Sequence, residues 1–307
     1  MRALITGGSG FIGSQLTRLL VEDGVELYAL MRAESDTWRI KSFLPHLQIV
    51  EGDLLHPEEG WLEQVGAIKP EICFHFAWYA EPGIFLTSPL NLEYLSASLQ
   101  LVQRLANVGC LKLVIAGSFS EYDQELGYLA ENSALKPNTP YGAAKLALYQ
   151  ALSLWAPAQG VEIVWPRIFS VYGPGEHEKR FVPAVIVAAL KGEPTRLSPG
   201  EQLRDYLHVA DVAGAIWAVV RNGITGPVNI GSGKPVAIRE LALKIGELVD
   251  RPDLIRLGDL PYRAGDPMFV CANTRMLAST GWVPLFDLES GLRDSIEWWR
   301  KKLDIHS

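Results

Sequence analysis

The sequence predicts an α/β chain built on a doubly wound, mainly parallel sheet with a smaller C-terminal lobe. Short apolar runs alternate with helical-period segments from residue 1 to about residue 165. A glycine-rich turn, Thr6-Gly7-Gly8-Ser9-Gly10-Phe11-Ile12-Gly13, joins the first strand to the first helix. Beyond Pro166 the alternation becomes irregular, broken by Gly173-Pro174-Gly175 and Ser198-Pro199-Gly200.

In chain order, residues 3–5 read as a strand, 10–22 as a helix, 26–31 as a strand and 48–51 as a third. Residues 71–76 form a short buried strand, 91–107 a helix, 112–116 a strand, 141–156 a long helix and 162–165 a further strand. Parallel neighbours need crossover helices, so this rhythm implies a sheet covered on both faces. Helices are expected over 183–190, 208–220 and 237–249, while 259–267 is rich in Pro, Gly and charge. Residues 1–165 are expected to form a dinucleotide-binding domain and 166–307 mainly a substrate-binding lobe. Segments near 205–230 are expected to return to the first domain.

Composition narrows the partners. Hydrophobic residues make up 48% and charged residues 21% of the 307, which is globular rather than disordered. The formal net charge is −7 and no basic run occurs, which disfavours nucleic acid. Cys73, Cys110 and Cys271 have no metal-type spacing and sit among apolar neighbours; they read as small buried hydrophobes in a reducing compartment, and no metal is expected. No apolar run approaches the ~20 residues of a membrane span, and the start of the chain shows no signal-peptide pattern. The expected location is therefore cytoplasmic.

The glycine turn carries the first chemistry. Gly7, Gly10 and Gly13 let the turn close, let the backbone approach a pyrophosphate and let the helix pack on the sheet, while the N–H groups around Phe11 and Ile12 face the anion. This is a Rossmann-type opening. The second strand ends in Met31-Arg32, where an acid would hold ribose hydroxyls; an arginine suits a 2′-phosphate, so NADP(H) is favoured and NAD remains possible. Asp53-Leu54 follows the third strand, either meeting an adenine edge or starting a turn.

Tyr141-Gly142-Ala143-Ala144-Lys145 puts a phenol and an ammonium one helical turn apart. A nearby cation favours phenolate and is expected to lower the Tyr141 pKa, suiting it to exchange a proton with an alcohol or carbonyl during hydride transfer. Ser118, after the strand 112–116, can hydrogen-bond the same oxygen.

Thr6–Gly13, Asp53-Leu54, His75-Phe76-Ala77, Gly117-Ser118, Tyr141–Lys145, the run Pro166 to Gly175 and the run Gln202 to Val212 together resemble the extended short-chain dehydrogenase/reductase family. The nearest branch is that of the nucleotide-sugar epimerases, dehydratases and ketoreductases, and the resemblance covers nearly the whole chain. It implies Ser118, Tyr141 and Lys145 as the catalytic set, and Phe76 and Ala77 beside the cofactor. It also implies Ser170 and Arg204 at the substrate, with Arg204 on the diphosphate, as a planar permanent cation suits. Arg180 and Arg263 are further candidates for substrate contact or plain surface charge, and His177 for proton transfer or a solvated loop. Trp78-Tyr79 can shape the pocket or simply pack. Asp211 reads as a helix N-cap. The family's dehydratases carry an Asp-Glu pair directly after the serine or threonine. Here Phe119 and Ser120 follow Ser118, and Glu121 falls one position late, which in an extended segment aims it at the other face.

The implied function is NADPH-dependent reduction of a nucleotide-linked 4-keto-6-deoxyhexose. A nucleotide-sugar 4-epimerase with bound NAD is the alternative, and a non-catalytic cofactor sensor a more distant one. The resemblance also implies a homodimer through the helices over 91–107 and 141–156.

Overall fold

A computed structural model describes residues 1–56 and 60–305. The chain opens with β1 (Arg2–Thr6), α1 (Phe11–Glu22), β2 (Glu26–Met31), β3 (Leu47–Glu51), α2 (Trp61–Ile68) and β4 (Ile72–His75). It continues through α3 (Leu90–Asn107), β5 (Lys112–Ile115), β6 (Gly117–Ser118), β7 (Tyr128–Leu129), α4 (Pro140–Ala158) and β8 (Glu162–Ile168). Then come β9 (Ser170–Tyr172), α5 (Phe181–Lys191), β10 (Thr195–Arg196), β11 (Leu203–His208), α6 (Val209–Arg221) and β12 (Gly226–Ile230). The last are β13 (Pro235–Ala237), α7 (Ile238–Leu248), β14 (Ile255–Arg256), β15 (Phe269–Ala272), α8 (Arg275–Ala278) and α9 (Leu288–Lys302).

The main sheet runs β12-β8-β5-β4-β1-β2-β3, and every pairing along it is parallel. The predicted doubly wound sheet is therefore present. Its strands are covered on both sides by helices. Leu16 and Leu20 of α1 pack with Val212, Ile216 and Val219 of α6 in one core. Leu101, Val102 and Leu105 of α3 pack with Leu148 and Leu152 of α4 in the other. The strand order reverses between β1 and β4, so a crevice opens beyond their carboxyl ends, where ligands bind such sheets.

A second lobe is built from α5, α7 and α9 around Val182, Ile186, Leu241, Ile245, Leu292 and Ile296. Strand β11 links the lobes: it pairs with β9 at Tyr206–Ser170 and with β13 and β15 at its other end. The segment 205–230 runs from this strand through α6 to β12 at the edge of the main sheet.

Several elements depart from the sequence expectation. Strand β8 does not stop before Pro166 but continues to Ile168, with Pro166 opposite Val228 of β12. Proline lacks only the N–H, and its φ is compatible with extended backbone, so a strand tolerates it where a partner does not need that donor. Helices α2 and α9 have no counterpart in the expected set. The helix expected over 208–220 begins at Val209, and its N-cap is His208, whose Nδ1 accepts from Ala210 N. Asp211 is therefore not the cap. It accepts from Leu285 N and Phe286 N, and ties the loop before α9 to α6. Cys73, Cys110 and Cys271 are buried free thiols, as expected. Among the described residues, no helix is long and apolar enough to cross a membrane.

Candidate active site

Gly7 has φ +70°, and a Cβ there would lie 2.6 Å from Ala77 N. A Cβ on Gly13 would run into the Gly7 carbonyl. The turn is therefore backbone packed on backbone, with the Gly10 N–H closing onto Gly7 O at 3.0 Å. Gly10 caps α1 without any side-chain hydrogen bond, so the N–H groups at Phe11 and Ile12 stay available. The 12-residue helix has no acid in its first turn to compete for them. This cradle suits a dinucleotide pyrophosphate. Below it, Thr6 Oγ1 accepts from Ala77 N and meets His75 Nδ1 at 2.7 Å, while His75 Nε2 meets Ser98 Oγ at 2.8 Å. Burial, with help from the Lys145 charge, pushes His75 down to about 3, so it acts as a neutral peg that holds Phe76 and Ala77 against Gly7.

At the other wall, Arg32 is half exposed. Its Nε lies 3.4 Å from Glu34 and its Nη1 4.0 Å from Asp53. Asp53 Oδ1 accepts from Leu55 N, an Asx-type turn, and Leu54 is buried in the core. The expected 2′-phosphate contact at Arg32 is thus flanked by two carboxylates.

Ser118, Tyr141 and Lys145 come together. Thr139 Oγ1 caps α4 by accepting from Gly142 N at 3.2 Å, and Pro140 sits at the first helical position. A Cβ on Gly142 would run into the Ser120 carbonyl, so the glycine lets α4 approach the Ser118 turn. Tyr141 is walled by Phe85, edge-on at 5.0 Å between ring centroids, and by Trp78 at 6.5 Å. Lys145 Nζ donates to Ala116 O at 2.9 Å and lies 3.6 Å from the centre of the Trp78 ring.

The electrostatics correct one expectation. Burial pushes the Tyr141 phenol up to about 12, with the Ser118 hydroxyl pulling the other way. Lys145 is not a cause of that shift; burial instead pushes its own ammonium down to about 7. Desolvation thus disfavours both charged forms.

The segment after Ser118 is not extended, contrary to the expectation from sequence. Residues Phe119–Glu121 form a 3-10 turn capped by Ser118 Oγ, which accepts from Ser120 N. The Glu121 carboxylate is fully buried. It accepts from Ser118 N at 2.7 Å, Trp165 Nε1 at 3.0 Å and Arg167 Nε at 2.8 Å. Its partners thus lie on the Ser118 turn and on strand β8, and its charge acts on Tyr141 and Lys145.

The remaining candidates lie from β9 to β15 in the chain. Ser170 lies in β9 beside Tyr206. Arg180 Nη2 donates to Ala80 O, its guanidinium lies over Phe85, and its charge reaches Tyr141. Arg204 Nη2 is 2.6 Å from Asp266 and its Nη1 donates to Leu203 O, so it is braced rather than mobile. Arg263 is exposed, and its carbonyl accepts from Asp266 N in a turn. His177 is exposed, with Nε2 4.0 Å from Glu81. Motif reading did not single out Phe85 or Glu176. No local signal marks either residue, because each reaches the site only through the path of its loop. Among the described residues no cluster of His, Cys, Asp or Glu could hold a metal.

A glycine cradle at the first crossover, with a Ser-Tyr-Lys set beside it, defines a dinucleotide-dependent short-chain dehydrogenase/reductase-type protein. The chain belongs to the NAD dependent epimerase/dehydratase family, whose profile matches residues 3–231. Among curated relatives, UDP-glucuronic acid decarboxylase 1 of Xenopus tropicalis is 27% identical over 99% of this chain and 73% of its own. The UDP-glucose 4-epimerase of Thermotoga maritima, solved with UDP-glucose, superimposes with a TM-score of 0.87 at 25% identity, covering 99% of this chain and 100% of that one. MoeE5, solved with UDP-glucose and NAD, gives a TM-score of 0.80 at 32% identity with the same coverage.

Proposed function

We propose that this protein is a nucleotide-sugar 4-epimerase that uses NAD and returns the hydride to its substrate. The observation that carries the proposal is the cluster of Ser118, Tyr141 and Lys145, with the Glu121 carboxylate buried behind Ser118 and held by Trp165 and Arg167. The cluster can move a proton on and off a sugar hydroxyl. Water elimination would need a second acid–base pair at the sugar, and Glu121 is committed to Trp165 and Arg167.

The cradle at Gly7, Gly10, Phe11, Ile12 and Gly13 would hold the pyrophosphate, Phe76 and Ala77 the nicotinamide side, and Asp53 and Leu54 the adenine side. When bound, NAD supplies the hydride acceptor and a positive ring beside the phenol. Ser118 orients the sugar C4 oxygen. Tyr141, ionised to phenolate when the positive ring and the Lys145 ammonium stand beside it, would accept the proton of that oxygen as the C4 hydrogen leaves, and give it back after the sugar has turned its other face. Lys145 holds the ribose hydroxyls, and those acceptors favour its charged form. Arg204, braced by Asp266, and Arg263 anchor the diphosphate; Ser170 and Arg180 line the sugar site.

NADPH-dependent reduction of a 4-keto-6-deoxy sugar is the second reading, and Arg32 is the observation in its favour. The carboxylates of Glu34 and Asp53 beside it already partly neutralise that guanidinium, which favours NAD. Pairing of two chains through α3 and α4 is consistent with Leu92 and Leu154 standing 66% and 83% exposed. Replacing Tyr141 by Phe tests the proposal: turnover should fall by at least ~10²-fold while NAD affinity is kept, as expected when a positioned proton carrier is lost. Retained turnover would refute it.

A further inference from the structure

The Glu176 side chain is unexplained by the machinery above. It follows Gly173-Pro174-Gly175 and is only 9% exposed. Among the described residues nothing hydrogen-bonds its Oε2, which is sealed from solvent. Burying a carboxyl without a partner is unfavourable, and burial pushes this one up to about 8 against the pull of Arg180. Such a group calls for a ligand or a role.

Its neighbours locate it. On one side is Arg180, which lies over Phe85 and whose charge reaches Tyr141. On the other is Tyr206, whose phenol feels Glu176, Arg204 and Asp266 together. The Glu176 loop thus runs from β9, which pairs with the strand β11 that carries Arg204, to Arg180 over the Phe85 ring that walls Tyr141. A hexose bridging Arg204 and Tyr141 places its ring hydroxyls along this loop. A hydroxyl donates and accepts, so it matches a carboxyl in either protonation state. The loop is also fixed from behind: Arg39 donates from Nε and Nη2 to Gly175 O, at 3.1 and 2.8 Å.

We propose that Glu176 is a specificity-determining sugar contact, its carboxyl hydrogen-bonding the ring hydroxyls of the hexose between Tyr141 and Arg204. This rests on the nucleotide-sugar reading, and the test separates the two. UDP, UDP-glucose and UDP-glucuronic acid are titrated calorimetrically into the NAD-loaded parent, Glu176→Ala and Glu176→Gln, with thermal melts checking the fold. Glucose should add affinity over UDP in the parent. Glu176→Ala should weaken UDP-glucose by about 10- to 100-fold, the value of a hydrogen bond to an ionisable group, with UDP unchanged. Glu176→Gln keeps the size and part of the bonding and should fall between; it carries the test if the alanine variant does not fold. Unchanged UDP-glucose affinity in both variants overturns the proposal, as does an equal loss for UDP, which marks a purely structural role. A loss confined to UDP-glucuronic acid also contradicts a hydroxyl contact. A parent that binds neither UDP and UDP-glucose nor their dTDP counterparts overturns the nucleotide-sugar reading itself.

Discussion

Glu121 and Arg167 form an ion pair buried beneath the active-site turn, with Nε 2.8 Å from Oε2 and side-chain exposures of 0% and 1%. The carboxylate also receives Ser118 N and Trp165 Nε1, and the guanidinium lies 4.6 Å from the centre of the Tyr122 ring and donates to Glu131 O. The pair therefore fixes the Ser118 turn from the inside.

Glu121→Gln should leave a buried guanidinium without its charge partner and destabilise the fold by about 3–5 kcal/mol, as breaking such pairs does. Urea unfolding of parent and variant measures this. A variant of parental stability whose turnover is lost would instead make Glu121 a proton carrier and reopen elimination chemistry.

Burial holds Lys145 with its pKa down at about 7, against 10.5 for an ordinary lysine. The unfolded chain binds the proton more tightly, so the penalty is complete below about 7, fades as pH rises toward 10.5 and is absent above it. Lys145→Met should therefore melt higher than the parent at pH 6.5, by on the order of 1 kcal/mol or about 2–4 °C, with catalysis lost. The gap should narrow at pH 9.5. A gap independent of pH, or a variant less stable than the parent, would contradict the burial account.

His75 gives the same pH sense in a lower window. Its folded value of about 3 lies below the usual 6.5, so its contribution is complete above 6.5 and is lost as pH falls toward 3. His75→Gln should lessen the fall of stability between pH 6.5 and 4, seen in melts at stepped pH. An unchanged acid profile would show that His75 titrates normally.

Arg32, between Glu34 and Asp53, is expected to leave NAD bound more tightly than NADP. Glu34→Gln should improve NADP affinity by a few-fold, since it frees an exposed cation whose interactions are worth about 1 kcal/mol or less. Fluorescence titration of both dinucleotides decides it. Tighter NADPH binding in the parent would favour the reductase reading.

The parts of this protein legible in the sequence are those whose signal is local. The glycine turn, the Tyr141–Lys145 spacing and the strand–helix rhythm each fit within one turn or one crossover, so the sheet and the cluster followed from them. Strand β8 was harder to read, because Pro166 breaks the pattern and only pairing with β12 shows that it continues. The stripe Leu288, Leu292, Ile296 and Trp299 of α9 has helical spacing behind the Asp287 cap, so this helix was legible in the sequence, whereas its packing on the second lobe was not. Arg204 meets Asp266 across 62 residues, and Glu121 meets Arg167 across 46. Such partners, and the desolvation that reverses the expected Tyr141 shift, exist only in the folded chain. Phe85 and Glu176 owe their places to loop paths for the same reason.

The central claim is that Tyr141 serves a reaction in which hydride leaves and returns to the same sugar. Its most direct test is proton NMR of a panel of UDP- and dTDP-linked hexoses and hexuronic acids incubated with the purified protein and trace NAD but no reductant. The account predicts that one of these converts to its C4 epimer, with no net change in nicotinamide absorbance and no conversion by Tyr141→Phe. Conversion that persists in Tyr141→Phe, or activity seen only as stoichiometric consumption of NADPH by a 4-keto sugar, would contradict it.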